Sequence, residues 1–133
     1  MKEAKIIERL RNDEDYYGKF GKQYMSNSDI GTLLKDPLSL GVSLTKTVPM
    51  LIGGYFHTAV LEPDKLHQFT IIEASTRNTK KYKEISGGEM CLLQHEVDMI
   101  NVMSEKLLAN NVIKDLIQNP NNEYEKPGLT KLK

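Results

Sequence analysis

The chain has 133 residues, 18 Lys and Arg against 18 Asp and Glu, 39% hydrophobic residues, one cysteine and no tryptophan. One domain of this length can bury roughly two thirds of its unfolded surface without disulfides or a structural metal, and the lone Cys91 excludes a disulfide framework and a four-cysteine zinc site. The balanced charge excludes a histone-like binder; no apolar run approaches the about 18 residues of a membrane span and the opening Met-Lys-Glu-Ala-Lys lacks a signal-peptide core, so a cytoplasmic protein with no membrane partner is expected.

Residues 1–23 carry six basic and five acidic side chains and read as a polar arm, with a short helix at Glu3 to Leu10 followed by irregular chain. Residues 24–133 read as a second region. It opens on Tyr24-Met25-Ser26-Asn27-Ser28-Asp29, where several N-cap residues precede Ile30, Leu33 and Leu34 on one helical face, so a helix is expected from about Ser28 to Lys35. Pro37 either stops that helix or starts another short one, and Gly41 to Val48 reads as a loop. Between Pro49 and Pro63 the apolar residues Ile52, Phe56, Ala59 and Val60 recur at helical spacing, which predicts a buried helix with one unusual polar residue, His57. One more turn over Pro63 to Leu66 and a short strand at Phe69-Thr70-Ile71-Ile72 follow.

The stretch from Ala74 to Lys83 holds Arg77, Lys80, Lys81 and Lys83 and no acid, and is the one basic run. Gly87-Gly88 breaks the chain before Leu93, Val97, Ile100, Met103 and Leu107, whose 4-3-3-4 spacing predicts one face of a long helix from about Leu93 to Ala109. Asn110-Asn111 ends it, and Val112 to Gln118 starts another. Asn119-Pro120-Asn121-Asn122 is a strong turn before Glu123-Tyr124-Glu125-Lys126, Pro127-Gly128 and Leu129 to Lys133, the pattern of a hairpin. With one other weak strand to pair with, this pattern predicts a sequence that stops inside a sheet.

Several familiar chemistries are excluded by the residues. His95-Glu96 lies on a helix, but Met99 stands where a His-Glu-x-x-His zinc site needs its second histidine. The glycine pairs lack the lysine and Ser/Thr of a Walker loop and do not follow a strand as a dinucleotide-binding turn would. There is no Gly-x-Ser-x-Gly elbow, and Cys91 sits in no nucleophile motif. Gly53 and His57 remain, four apart and so on one helical face, where a glycine lets a backbone or a ligand approach the imidazole. On the residues alone, His57 also fits a hydrogen-bonded core histidine, Glu62 a helix-end carboxylate, and the basic run a solvated loop able to make only a few phosphate contacts.

The segment Gly53-Gly54-Tyr55-Phe56-His57-Thr58-Ala59-Val60-Leu61-Glu62-Pro63 resembles the Gly-x-x-x-His-x-x-x-Leu-Glu-Pro signature of exodeoxyribonuclease VIII-like nucleases, a RecB-type exonuclease family within the PD-(D/E)XK superfamily. Ser26 and Ser28, with Leu33, Leu34 and Pro37, are similar to that family's leading Ser-x-Ser helix, about twenty residues ahead of the glycine and histidine. The order also agrees: leading helix, Gly-His helix, basic stretch at Arg77 to Lys80, long helix, then the approach to a sheet. The resemblance spans about Tyr24 to Lys133.

The resemblance implies an α/β protein in which N-terminal helices lead into the first strands of a mixed-sheet, restriction-endonuclease-like core. It implies metal-dependent hydrolysis of DNA phosphodiesters from duplex ends with Mg²⁺ or Mn²⁺ held by carboxylates, in a full-length protein able to form a homo-oligomer. His57 then corresponds to a supporting metal ligand, with Glu123 a further candidate, and Arg77, Lys80, Lys81 and Lys83 to DNA contacts. The family's catalytic Asp and its Glu-x-Lys lie on strands beyond the first hairpin and have no counterpart here, since Glu3-Ala4-Lys5 sits in an N-terminal helix and Pro63-Asp64 has no Glu-x-Lys partner. These 133 residues are therefore expected to be the front part of such a nuclease and inactive alone. Two other readings are a non-catalytic DNA-binding or regulatory domain, using the basic run with Tyr82 stacked on a base, and a small helical interaction protein whose Leu93 to Leu107 face packs on a partner helix.

Overall fold

Capping side chains set most of the helix starts. The computed structural model describes residues 2–131, which are predominantly helical with one two-stranded parallel sheet. They divide into two units, residues 2–44 with 125–131, and Thr45–Tyr124. The boundary expected near Gln23 falls inside the first unit.

In the first unit α1 spans Glu3–Leu10, as its sequence predicts. The chain expected to be irregular after it instead forms a helix, α2 (Asp13–Tyr17), and a 3-10 turn at Gly21–Gln23. Asn12 explains the first: its side-chain oxygen accepts the N–H groups of Glu14 and Asp15 at 2.9 and 3.3 Å, satisfying donors that would otherwise be orphaned. Arg9 ties the two helices together, donating to both oxygens of Asp15 at 2.8 and 3.0 Å while its guanidinium lies 3.9 Å over the ring of buried Phe20. Gly21 is required here, because a Cβ at that position would strike the Tyr16 carbonyl.

Helix α3 (Asn27–Lys35) starts in a capping box. Ser26 Oγ accepts the Asp29 N–H at 3.1 Å, and the Asp29 carboxylate accepts the Ser26 N–H at 2.8 Å. The hydrogen bonds from the Ser26 backbone and hydroxyl hold the Asp29 carboxyl below the usual range. Replacing Ser26 by Ala should therefore cost about 1 kcal/mol, the ordinary value of an N-cap. It should read as faster amide exchange at Asn27 to Ile30, and unchanged exchange there would contradict the assignment. Ser28 lies one turn ahead of Thr32, whose hydroxyl donates to its carbonyl at 3.0 Å. Pro37 opens a 3-10 turn over Pro37–Ser39.

In the second unit Thr47 caps α4 (Val48–Leu61), and Pro49 occupies its first turn, where the missing N–H has no cost. Pro63 ends it, and a 3-10 turn spans Pro63–Gln68. Strand β1 (Ile71–Ile72) pairs in parallel with β2 (Leu92–Leu93), placing Ile71 beside Leu92 and Ile72 beside Leu93. The crossover between them contains α5 (Lys80–Ser86), which Gly87 terminates in the left-handed conformation at φ 60°. Helix α6 (Gln94–Leu108) follows β2 directly, and α7 (Asn111–Ile117) begins on the Asn110 side chain.

The core has two clusters. Tyr55, Leu92, Val97 and Ile100 form one between α4 and α6, with Leu51, Ile52, Phe56, Ala59, Leu66 and Phe69 packed around it. Ile72, Tyr82, Cys91 and Leu93 form the other, behind the sheet. Tyr55 is the most buried residue of α4 although it lies outside the Ile52, Phe56, Ala59 and Val60 pattern, and its ring meets Phe69 edge-on at 5.2 Å. On α6 the expected inward residue Met103 stays 47% exposed, while Ser104 turns in and donates its hydroxyl to the Ile100 carbonyl at 2.9 Å. A period of 3.6 residues carries the inner line from Ile100 to Ser104, four residues on, instead of three.

The expected hairpin is not formed among the described residues. The turn exists, with the Asn122 N–H donating to the Asn119 carbonyl at 3.0 Å, but residues 123–131 contain no strand. Glu125, at φ 49°, interrupts the extended run, and a two-stranded ribbon with no third strand is marginal in water. Leu132 and Lys133 lie outside the described residues. No helix among the described residues is long and apolar enough to cross a membrane.

Candidate functional site

The Gly-x-x-x-His segment lies on α4, whose faces are set by what α6 covers. Tyr55 points into the core, so residues two either side of it turn outward: Gly53 and His57 are both exposed, with Gly54 beside them. The expectation of a buried histidine is thus corrected, since one face of α4 is open. Nothing lies within 4 Å of where a Cβ at Gly53 or Gly54 would stand. Glu62, at the C-terminal end of α4, is half-buried and pairs with Lys65 at 3.0 Å, a helix-end arrangement like the plain reading of its sequence position.

Mg²⁺ and Mn²⁺ demand several oxygen or imidazole donors at once. Among the described residues no three His, Cys, Asp or Glu side chains are grouped to hold an ion. Glu123 is exposed just past the turn at Asn119 to Asn122. The residues present therefore do not by themselves fit the metal site that the family resemblance implies, and no chemical step is derived through it.

The basic run is divided by the fold. Arg77 turns inward, where its guanidinium donates to both oxygens of Glu96 at 2.8 and 2.6 Å and to the Cys91 carbonyl at 3.1 Å. Glu96 also accepts the Leu93 N–H at 2.9 Å, which ties the start of α6 to the end of β2. Burial pushes the Glu96 carboxyl up, but the hydrogen bonds from Arg77 and Leu93 and the charges of Arg77 and His95 outweigh it and leave the group below its ordinary value. The Arg77 guanidinium is raised by the same pairing. Arg77 is therefore a structural clamp whose guanidinium is already forked onto a carboxylate.

Tyr82 is also corrected. It is buried, and its hydroxyl accepts the Cys91 N–H at 2.8 Å, so its ring cannot stack on a base. Lys80, Lys81 and Lys83 remain exposed on α5. Burial and the Glu89 charge push the Cys91 thiol up, against the opposing effect of Arg77. The Arg77–Glu96 clamp escaped sequence reasoning because its members are 19 residues apart; the one signal was a lone acid at the first turn of the α6 pattern, a capping position.

Compared with models of protein families, with curated proteins and with solved structures, the chain matches none.

Proposed function

We propose that the chain is the helical, DNA-handling part of a metal-dependent deoxyribonuclease of the PD-(D/E)XK type, with the metal-binding carboxylates of a restriction-endonuclease-like core supplied from outside these 133 residues. The observation that carries this reading is the open face of α4: the two elements of the Gly-x-x-x-His signature lie side by side on it, with no neighbouring atom where a Cβ at Gly53 would stand. An exposed imidazole beside a bare helix surface suits a supporting contact to an ion or a phosphate held by other groups. The Ser-x-Ser helix contributes structure, through its capping box, and not chemistry.

The sequence contains no Asp strand followed by Glu-x-Lys, so the 133 residues alone should leave linear duplex DNA intact in Mg²⁺ or Mn²⁺. Digestion by the purified chain, abolished by a chelator, would contradict this assignment of parts. A non-catalytic DNA-binding role is the second reading, favoured by the outward lysines of α5. The reading as a helical protein that docks a partner through Leu93 to Leu107 loses its basis, because Leu93, Val97 and Ile100 are buried within the unit.

A further inference from the structure

Two consecutive tyrosines close the short helix α2, and both keep much of their surface in water: Tyr16 is 44% and Tyr17 73% exposed. Successive helical residues point about 100° apart, and the two rings stand edge-on, with centres 4.9 Å apart and planes at 78°. The residue that follows is Gly18, where a Cβ would strike the Glu14 carbonyl, so the next position offers no side chain to cover the rings. A tyrosine pair kept for packing alone buries its faces; this one leaves them open.

Both rings line a cleft of about 1090 Å³ within the first unit, together with Lys22, Tyr24, Met25 and Lys126. Ligand sites are of this order, roughly 300 to 1,000 Å³, and are walled in the same way by aromatic and apolar side chains with a few charges. Charges of both signs are present. Partial burial pushes the Tyr17 hydroxyl up, and interaction with Asp13, Tyr16 and Glu125 pushes it further, so two carboxylates bear on that ring. Lys22 and Lys126 add a cationic part to the cleft. The unit already holds one cation on an aromatic face, since the Arg9 guanidinium lies 3.9 Å from the centre of the Phe20 ring. Arg9 is committed there and to Asp15, and does not serve the tyrosines.

Independently of the nuclease reading, we propose that this cleft binds a small zwitterion, with a methylated ammonium in the angle between the Tyr16 and Tyr17 rings and an anionic group toward the lysines. The ring quadrupoles attract the ammonium, and its charge, spread over methyl groups, is cheap to take out of water. A nucleic-acid base is a poorer match, because it stacks on one ring face and gains nothing from a perpendicular neighbour or from carboxylates beside it. Phosphocholine carries both required groups, as a free solute or as a lipid headgroup.

The test follows the tyrosine ring proton signals of the full chain during titration with phosphocholine. The Tyr16 and Tyr17 signals should move together. The uncharged-carbon isostere 3,3-dimethylbutyl phosphate, which keeps the shape and the anionic group, should bind roughly tenfold more weakly. Tyr17→Ala should lose a similar factor and Tyr17→Phe should lose none, because the attraction resides in the ring. Alanine favours a helix at this exposed position, and unshifted amide signals across α1 and α3 check that the unit persists. Choline should bind more weakly than phosphocholine in the unaltered chain, and K22A/K126A should abolish that difference. Sedimentation with phosphatidylcholine vesicles, reversed by free phosphocholine, would assign the ligand to a lipid surface; binding of phosphocholine without sedimentation would assign it to a free solute. Ring signals that phosphocholine leaves unmoved, equal affinity for the isostere, or a Tyr17→Ala variant that binds as the unaltered chain does would each overturn the proposal.

Discussion

Replacing Arg77 by Ala should unfold the Thr45–Tyr124 unit at markedly lower denaturant, by about 3 kcal/mol, the low end of the range for breaking a buried ion pair. The low end applies because the Arg77 side chain keeps 23% of its exposure while that of Glu96 keeps 10%. The loss comes chiefly from what remains: a carboxylate packed at the start of α6 with only the Leu93 N–H to compensate it, and a Cys91 carbonyl without its donor. With a urea slope of roughly 1.5 kcal/mol per molar, the midpoint should fall by about 2 M. Lysine should rescue little, since one ammonium cannot span both carboxylate oxygens and the carbonyl. A midpoint unchanged by Arg77→Ala would show that the clamp is not formed in solution.

The same pair sets a pH dependence. The Glu96 carboxyl is depressed in the folded state, so its contribution is fully present above the unfolded carboxyl range, near pH 4.3. It is lost as pH falls from there through the lower folded value. Stability of the unaltered unit should therefore drop more steeply below about pH 4.3 than that of Glu96→Gln, which has no carboxyl to protonate at this position.

Ile100→Ala should have an effect of comparable size, about 2 to 5 kcal/mol. Ile100 is fully buried at the centre of the α4 and α6 contact, beside Leu92, Val97 and Tyr55, and two packed helices cannot close the gap left by its side chain. Met103→Ala, three residues on, should change stability by less than about 0.5 kcal/mol, because that side chain lies outside the core. The pair of variants separates the observed face of α6 from the one the 4-3-3-4 spacing suggested. Equal losses at the two positions would restore the sequence-based face.

What could be read from the sequence was local. The helices α1, α3, α4 and α7 lie within a residue or two of their expected places, because signals such as the N-cap group around Ser26, the stop at Pro63 and the break at Asn110-Asn111 act on near neighbours. Apart from α2, which starts on the local cap Asn12, the misses were tertiary. β2 has only two residues and exists because Leu92 and Leu93 meet Ile71 and Ile72 from a distant part of the chain. Helix α5 was hidden by its lysines, since Tyr82 is its one buried residue and supplies no period. Arg77 read as a surface cation because nothing local reveals Glu96. His57 read as buried because the apolar residues around it are real, but α6 covers the Tyr55 side of α4 and leaves the Gly53 side open.

The proposed nuclease role turns on that open face of α4. Its most direct test is the rate at which the longest natural polypeptide containing these residues digests linear duplex DNA in Mn²⁺, compared with its His57→Ala variant at equal duplex affinity. A fall of roughly 100-fold, about 2.7 kcal/mol of barrier, is the expected result. Equal rates for the two proteins, or no digestion by either, would contradict it.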